Sequence, residues 1–321
     1  MLTWLIRRAR ALRTWLLVRL GLRRGRWRRA RVRGPGPRFL PGPLAARTWR
    51  YGLYAPGGLR DDESAPLVVV LHGCKQQALR FAYATGWTDF ADTARVRLLC
   101  PDQRRLANLY RCWNWFHPAA QRGQGEVALV AAMIDAVARH TRVDQNAVAA
   151  VGISAGGALA ALLAFHFAER FRAVATVAAT PLLGSFNVQN PQSVMQHGLA
   201  LDPILALGAG QKACAPLAII HGTADAVVHP RCAEQLRAQA VESFRRAGKP
   251  ATPGSTMAGS NGTTVTDYRA NGELLLRRID VQGLGHAWTG GPGGHPYCER
   301  SGASLTALCG QFLRDVGMLQ R

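Results

Sequence analysis

The chain has 321 residues, 48% of them hydrophobic, which suits one large α/β domain, or at most two small ones, around a real core. Its net charge of +21 is uneven: residues 1–33 carry twelve arginines and no acids, and the remainder carries 28 basic and 19 acidic residues. None of the seven cysteines forms a C-x-x-C pair, which removes support for a zinc ribbon or a redox motif, and no apolar run approaches the roughly 18 residues of a spanning helix.

Residues 1–33 lack an uninterrupted secretory core, because Arg13 and Arg19 flank the short apolar stretch Trp15–Val18. Trp4, Leu5, Leu12, Trp15, Leu16 and Leu20 recur at helical spacing among arginines. Two readings stay open: a basic amphipathic helix on an anionic membrane surface, and a disordered basic arm. Nucleic acid is the weakest partner, since no recognition fold follows the arm. Residues 34–46 form a Gly/Pro linker, and the folded domain is expected over 47–321.

Trp49–Tyr54 alternates and predicts an edge strand. Pro66–Leu71 is a continuous apolar run, as in a strand buried on both faces, and runs into His72-Gly73-Cys74. Arg97–Cys100 predicts the next strand, and Gly125–His140 a helix. Short strands follow at Val148–Ile153, Val174–Ala178 and Leu217–Ile220, with a helix over Cys232–Arg246 and a polar loop over Pro250–Gly262. Thr263–Tyr268 and Glu273–Val281 read as strands joined at Asn271-Gly272, a hairpin signal. Strands alternating with helices predict a mostly parallel, doubly wound sheet.

Gly152-Ile153-Ser154-Ala155-Gly156 lies between an apolar run and a helix-forming run of small residues. Strand, sharp turn and helix are the context of a nucleophile elbow. Glycine on either side of Ser154 avoids collisions that a Cβ would make, and the helix N-terminus favours developing negative charge. Serine needs a base and the base an orienting acid, in the chain order Ser, Asp or Glu, His. His286 follows a long strand in a Gly-rich loop near the C-terminus, unlike His166 inside the post-elbow helix or His221 before a turn glycine. Asp225 sits on a turn after the Leu217–Ile220 strand, whereas Asp202, Asp267 and Asp280 lie in less suitable places. The amides of Ala155 and Cys74 are the expected oxyanion donors. Trp113, Trp115 and Trp288 are candidates for substrate contact. No metal or organic cofactor is implied.

The blocks His72-Gly73-Cys74-Lys75-Gln76, Cys112-Trp113-Asn114-Trp115-Phe116, Arg122-Gly123-Gln124-Gly125-Glu126, Gly152–Gly157, His221-Gly222-Thr223-Ala224-Asp225 and Gly285-His286-Ala287-Trp288 occur in this order. Together they resemble the poly(3-hydroxybutyrate) depolymerase family of esterases, which is related to feruloyl and acetyl xylan esterases. The resemblance covers about residues 47–315. It implies an α/β-hydrolase fold and hydrolysis of carboxylic esters, often by extracellular proteins. It also implies that Cys74 pairs with Cys112. No Ser/Thr-rich linker or polymer-binding segment follows the catalytic part in this sequence, so soluble hydroxyalkanoate oligomers or small esters are the expected substrates. The rival readings are a feruloyl or acetyl xylan esterase with the same machinery, and a catalytically silent hydrolase fold that binds membranes or partners.

Overall fold

The computed structural model describes residues 25–33, 48–184, 190–208 and 210–320. The chain opens with β1 (Arg26–Arg33), β2 (Thr48–Ala55) and β3 (Ala65–Leu71), then α1 (Ala78–Ala84), α2 (Trp87–Ala94) and β4 (Arg97–Asp102). It continues through α3 (Pro118–Gln121), α4 (Glu126–Ala138), β5 (Val143–Ile153), α5 (Ala155–His166), β6 (Ala173–Val177), α6 (Pro191–His197) and β7 (Leu217–Gly222). It closes with α7 (Arg231–Arg246), β8 (Thr252–Pro253), β9 (Met257–Ala258), β10 (Thr263–Ala270), β11 (Glu273–Val281) and α8 (Leu305–Asp315).

All but β9 lie along one sheet path, in the order β1-β2-β4-β3-β5-β6-β7-β11-β10-β8, with β9 paired to β10. The centre, from β4 through β11, is parallel. The margins are antiparallel: β1 and β2 at one side, β10 with β8 and β9 at the other. Central strands are apolar, as in APLVVVL, or nearly so, as in AVATV with its one buried threonine, because helices cover both sheet faces. Helices α4, α5 and α7 pack in the core on one face, and α1, α2 and α8 on the other. Helix α5 follows the elbow and buries every residue except His166, so its composition of alanine, leucine and glycine reflects close approach to the strands beneath. This is the α/β-hydrolase arrangement, and it bears out the expected fold class.

Two expectations are corrected. Arg26–Arg33, assigned to the arm, is a strand paired with β2 over eight residues, so β2 is not an edge. The physical reason is a period of two hidden by arginine: Ala30 and Val32 pack against one core, while Trp27 packs against the other and tilts onto Tyr54 at 5.0 Å. Charged side chains suit the new edge, where they discourage pairing with other chains. The remaining arm residues 1–24 and the linker 34–46 lie outside the described residues. The polar loop over 250–262 also contributes the two short strands β8 and β9. The Asn271-Gly272 hairpin is as expected, both residues having positive φ, 50° and 80°.

Candidate active site

Ser154 is the residue between β5 and α5, and its backbone is held at φ 55° and ψ −124°. A side chain in that region is strained, and the surroundings must over-determine it. They do so through two glycines and one hydrogen bond. A Cβ on Gly152 would run into the backbone of Gly156, and one on Gly156 would meet the carbonyl oxygens of Leu71 and His72. The Ser154 amide donates to the Val177 carbonyl at 2.9 Å, tying the turn to the end of β6.

The next strands supply the partners. Parallel β5, β6, β7 and β11 are consecutive neighbours, so the residues following them emerge at the same sheet edge. Asp225 lies on the turn after β7, its side chain inaccessible to solvent. Its Oδ1 accepts from the amides of Val227 and Val228, both at 2.9 Å, and its Oδ2 lies 2.8 Å from Nδ1 of His286. Burial pushes the Asp225 carboxyl up, but the hydrogen bond and charge of His286 and the two amides outweigh it, and the group titrates below its usual range. A carboxylate can only accept, so Nδ1 of His286 carries the proton and Nε2 is left as the basic nitrogen. The His286 ring meets Tyr297 edge-on at 5.6 Å. His221 also approaches Asp225, 3.6 Å from Oδ2, but its Nε2 is engaged by the Val228 carbonyl at 2.8 Å. Burial lowers the His221 pKa to about 4, so it stays neutral as a support for the Asp225 turn.

On the other side of Ser154, β3 leads into the turn His72–Gln77. The amides of Cys74 and Ala155 have no hydrogen-bond partner among the described residues. The turn is fixed from several directions. His72 is buried and neutral, its pKa lowered to about 4 chiefly by burial; Nδ1 donates to the Gly73 carbonyl and Nε2 accepts from the Gln103 amide. Gln76 accepts from the Gly73 amide and donates to the Pro296 carbonyl, linking this turn to the loop that carries Tyr297. A disulfide joins Cys74 to Cys112, with Cα atoms 4.2 Å apart, and the Lys75 amide donates to the Tyr110 carbonyl. The remaining described cysteines, Cys100, Cys214, Cys232, Cys298 and Cys309, are free and buried.

Glu126, at the start of α4, is a support that the motif reading quoted without assigning. Its buried carboxylate accepts from Gln103 Nε2 at 2.7 Å, from Asn114 Nδ2 at 2.8 Å and from the Asn114 amide at 2.7 Å. Burial raises its pKa, opposed by those three bonds. Gln103 in turn donates to the Cys112 carbonyl. The Arg-Gly-Gln-Gly-Glu and Cys-Trp-Asn-Trp blocks are therefore two halves of one buried polar network behind the disulfide.

The tryptophans are a correction. Trp113 and Trp288 are wholly buried and Trp115 is 4% exposed, so they have no surface to offer a substrate. Trp113 donates to the His72 carbonyl at 3.0 Å, and Trp288 donates to Thr306 while packing edge-on against Phe81. An indole with a paired N–H inside a core is held there by area and hydrogen bonding together. Among the described residues, Tyr110, Val227 and Tyr297, which adjoin the Cys74 turn, Asp225 and His286, are exposed. The alternative acids are engaged elsewhere: Asp202 caps a 3-10 turn, Asp267 pairs with Arg277, and Asp280 pairs with Arg278. Among the described residues no three His, Cys, Asp or Glu side chains form a group that could hold a metal ion.

A family model described as "Esterase PHB depolymerase" matches residues 49–265. The chain belongs to this esterase family. It is 29% identical over 274 residues to the poly(3-hydroxyalkanoate) depolymerase C of Paucimonas lemoignei, covering 83% of this chain and 63% of that protein. It is 26% identical to the poly(3-hydroxybutyrate) depolymerase of Ralstonia pickettii, covering 71% of this chain and 49% of that one. The chain thus spans less than two thirds of the length of these family relatives. Among solved structures it is similar to the acetyl xylan esterase from Aspergillus awamori, with a TM-score of 0.64 at 17% identity, over 82% of this chain and 94% of that one. At that identity the likeness speaks for the fold.

Proposed function

We propose that this member of the family is a serine esterase that hydrolyses hydroxyalkanoate oligomers or related short esters. The observation that carries the reading is the 2.8 Å contact between His286 and the buried Asp225, at the same sheet edge as Ser154 on its strained turn. His286 Nε2 takes the proton from Ser154 Oγ as that oxygen attacks the ester carbonyl. The amides of Cys74 and Ala155 receive the charge that develops on the carbonyl oxygen. His286 then gives its proton to the departing alcohol, leaving an acyl-serine. A water molecule, deprotonated by His286, attacks that acyl group and releases the acid, which restores Ser154. The net reaction consumes one ester and one water and yields one acid and one alcohol. Asp225 keeps Nδ1 protonated throughout and stabilises the imidazolium.

Depolymerase relatives favour the hydroxyalkanoate reading over feruloyl or acetyl xylan esters. The family, together with the Cys74–Cys112 disulfide, supports action outside the reducing cytoplasm. Contact of the basic residues that precede β1 with an anionic membrane is a separate proposal, supported by seven arginines and no acids in residues 1–24. The test is an ester panel with wild type and Ser154→Ala: p-nitrophenyl acyl chains, hydroxybutyrate oligomers and feruloylated or acetylated sugars. The wild type is expected to turn over the first two, and a folded Ser154→Ala protein none. Near-normal turnover by Ser154→Ala ends the serine-esterase reading.

A further inference from the structure

The edge strand that the sequence concealed forms one wall of a groove of about 570 Å³, at the opposite side of the oxyanion turn from Asp225. Five arginines line it, Arg29, Arg31, Arg50, Arg80 and Arg111, and a single carboxylate, Asp102. Asp102 is already engaged: its Oδ1 lies 3.4 Å from Arg111 and accepts from the Ala78 amide at 3.2 Å. The other four guanidinium groups have no carboxylate within ion-pair distance among the described residues. Residues 1–24, 34–47, 185–189, 209 and 321 contain neither Asp nor Glu, so no side-chain carboxylate comes from them. The contrast within β1 is informative. Arg26 and Arg28, on the alternate face, both meet Asp61, at 3.4 and 2.6 Å.

Arg31 stands directly opposite Arg50 in the β1–β2 register. Like charges in that position repel, and the free protein gains nothing from them there. A bidentate oxyanion between two guanidinium forks converts the repulsion into charge-assisted hydrogen bonds. The groove's volume suits a small organic ligand rather than a lone ion. Its place in the sheet also matters. Arg50 is opposite Asp102, the last residue of β4, so the arginines lie at the carboxyl end of the parallel strands, the end that carries Ser154. From β5 the path crosses β3 and β4 to β2, which is about 14 Å at roughly 4.8 Å per strand. Gln77, the last residue of the oxyanion turn, and Ala78 just after it also line the groove.

We infer that this groove binds the terminal carboxylate of an oligomeric ester whose scissile bond lies at Ser154. The inference rests on the hydroxyalkanoate reading above and deepens it. A hydroxyalkanoate chain is neutral along its length and carries one carboxylate, at its acid end, and each hydrolysis creates another. Recognition of that end makes the protein select acid-terminated oligomers over capped ones and act a fixed number of units from the terminus.

The experiment compares 3-hydroxybutyrate trimer acid, its methyl ester and p-nitrophenyl butyrate as substrates of the wild type and of the double variant Arg31→Gln/Arg50→Gln. The wild type is expected to prefer the acid over its methyl ester by roughly tenfold in kcat/KM, a fold-change typical of a charged contact. The double variant should bring the ratio to about one by raising KM, with kcat and p-nitrophenyl butyrate turnover unchanged. Calorimetric binding of the trimer acid to Ser154→Ala, with and without the two arginines, gives a readout independent of turnover, and Arg31→Lys/Arg50→Lys separates charge from fork geometry. An unchanged ratio in the double variant, no preference in the wild type, or no trimer binding to Ser154→Ala overturns the inference. So does a variant that loses only its binding to anionic phospholipid vesicles, which assigns the groove to a phosphate headgroup. If the wild type hydrolyses none of the three esters but Ser154→Ala still binds the trimer acid through the two arginines, the esterase reading fails and the groove stands.

Discussion

Asp225→Asn separates catalysis from structure at this site. Three hydrogen bonds define the carboxylate: Oδ1 from the Val227 and Val228 amides, each at 2.9 Å, and Oδ2 against His286 Nδ1 at 2.8 Å. An asparagine keeps the first two by placing its oxygen at the Oδ1 position. The reverse orientation would aim its NH2 at two backbone donors and leave both unpaired, costing about 1–3 kcal/mol each, so it is disfavoured. The amide nitrogen therefore faces Nδ1 and can only donate to it. Nδ1 gives up its proton, which moves to Nε2, and the base now presents a hydrogen to the serine it should deprotonate. The comparable change in the serine-protease triad lowers kcat by about 10⁴, and the same tautomer argument predicts about 10⁴ here, or roughly 5 kcal/mol of barrier. The assay is p-nitrophenyl butyrate hydrolysis at pH 8, with the thermal midpoint as a control that should move by only a few degrees. Turnover within tenfold of wild type refutes the assignment. An equal loss in Asp202→Asn or Asp280→Asn, whose carboxylates cap a turn and pair with Arg278, does so too.

Gly156→Ala should lose both activity and stability, because the new Cβ falls 2.5 Å from the His72 carbonyl oxygen and backbone must shift to admit it; a thermal midpoint and kcat equal to wild type would contradict the close approach. Glu126→Ala leaves the donors of Gln103 and Asn114 without their buried acceptor and should cost roughly 3 kcal/mol or more in urea unfolding, with Glu126→Gln intermediate. Replacing both Cys74 and Cys112 by serine opens a bridge across 38 residues, and the chain-entropy model gives a loss of about 4 kcal/mol, measurable by the same unfolding experiment. Stability should also fall between about pH 6.5 and 4. His72 and His221 have folded pKa values lowered to about 4, so in that window the unfolded chain binds protons that the folded one refuses. Each contributes a slope of roughly 1.4 kcal/mol per pH unit, and Glu126, with its raised pKa, opposes them. Urea unfolding that is flat with pH across this window would show that the two rings are not held neutral.

Much of the site is visible in sequence because local sterics write it there. Gly152 and Gly156 flank Ser154 because no other residue fits against the Gly156 and His72 backbones, and that demand survives as a pentapeptide. Asp225 follows the apolar strand β7 and His286 the long strand β11, so chain order along a parallel sheet already predicts that they share an edge. The buried strands are legible for the same reason: a strand covered on both faces must be apolar without interruption.

Tertiary structure alone decided the rest. Indole side chains near catalytic motifs carry no mark of which way they face, and the sheet turned Trp113 and Trp288 inward, where their N–H groups found His72 and Thr306. Glu126 is one acid among nineteen in the sequence, and its role appears only when α4 brings it beneath Asn114 and Gln103. The alternation of β1 is masked because arginine occupies both faces of an edge strand, where water tolerates it and the β2 backbone supplies the hydrogen bonds. Sequence determines what a residue demands of its immediate neighbours in the chain. Which distant residues meet that demand is set by packing, because burial and pairing are properties of the assembled sheet rather than of any segment of it.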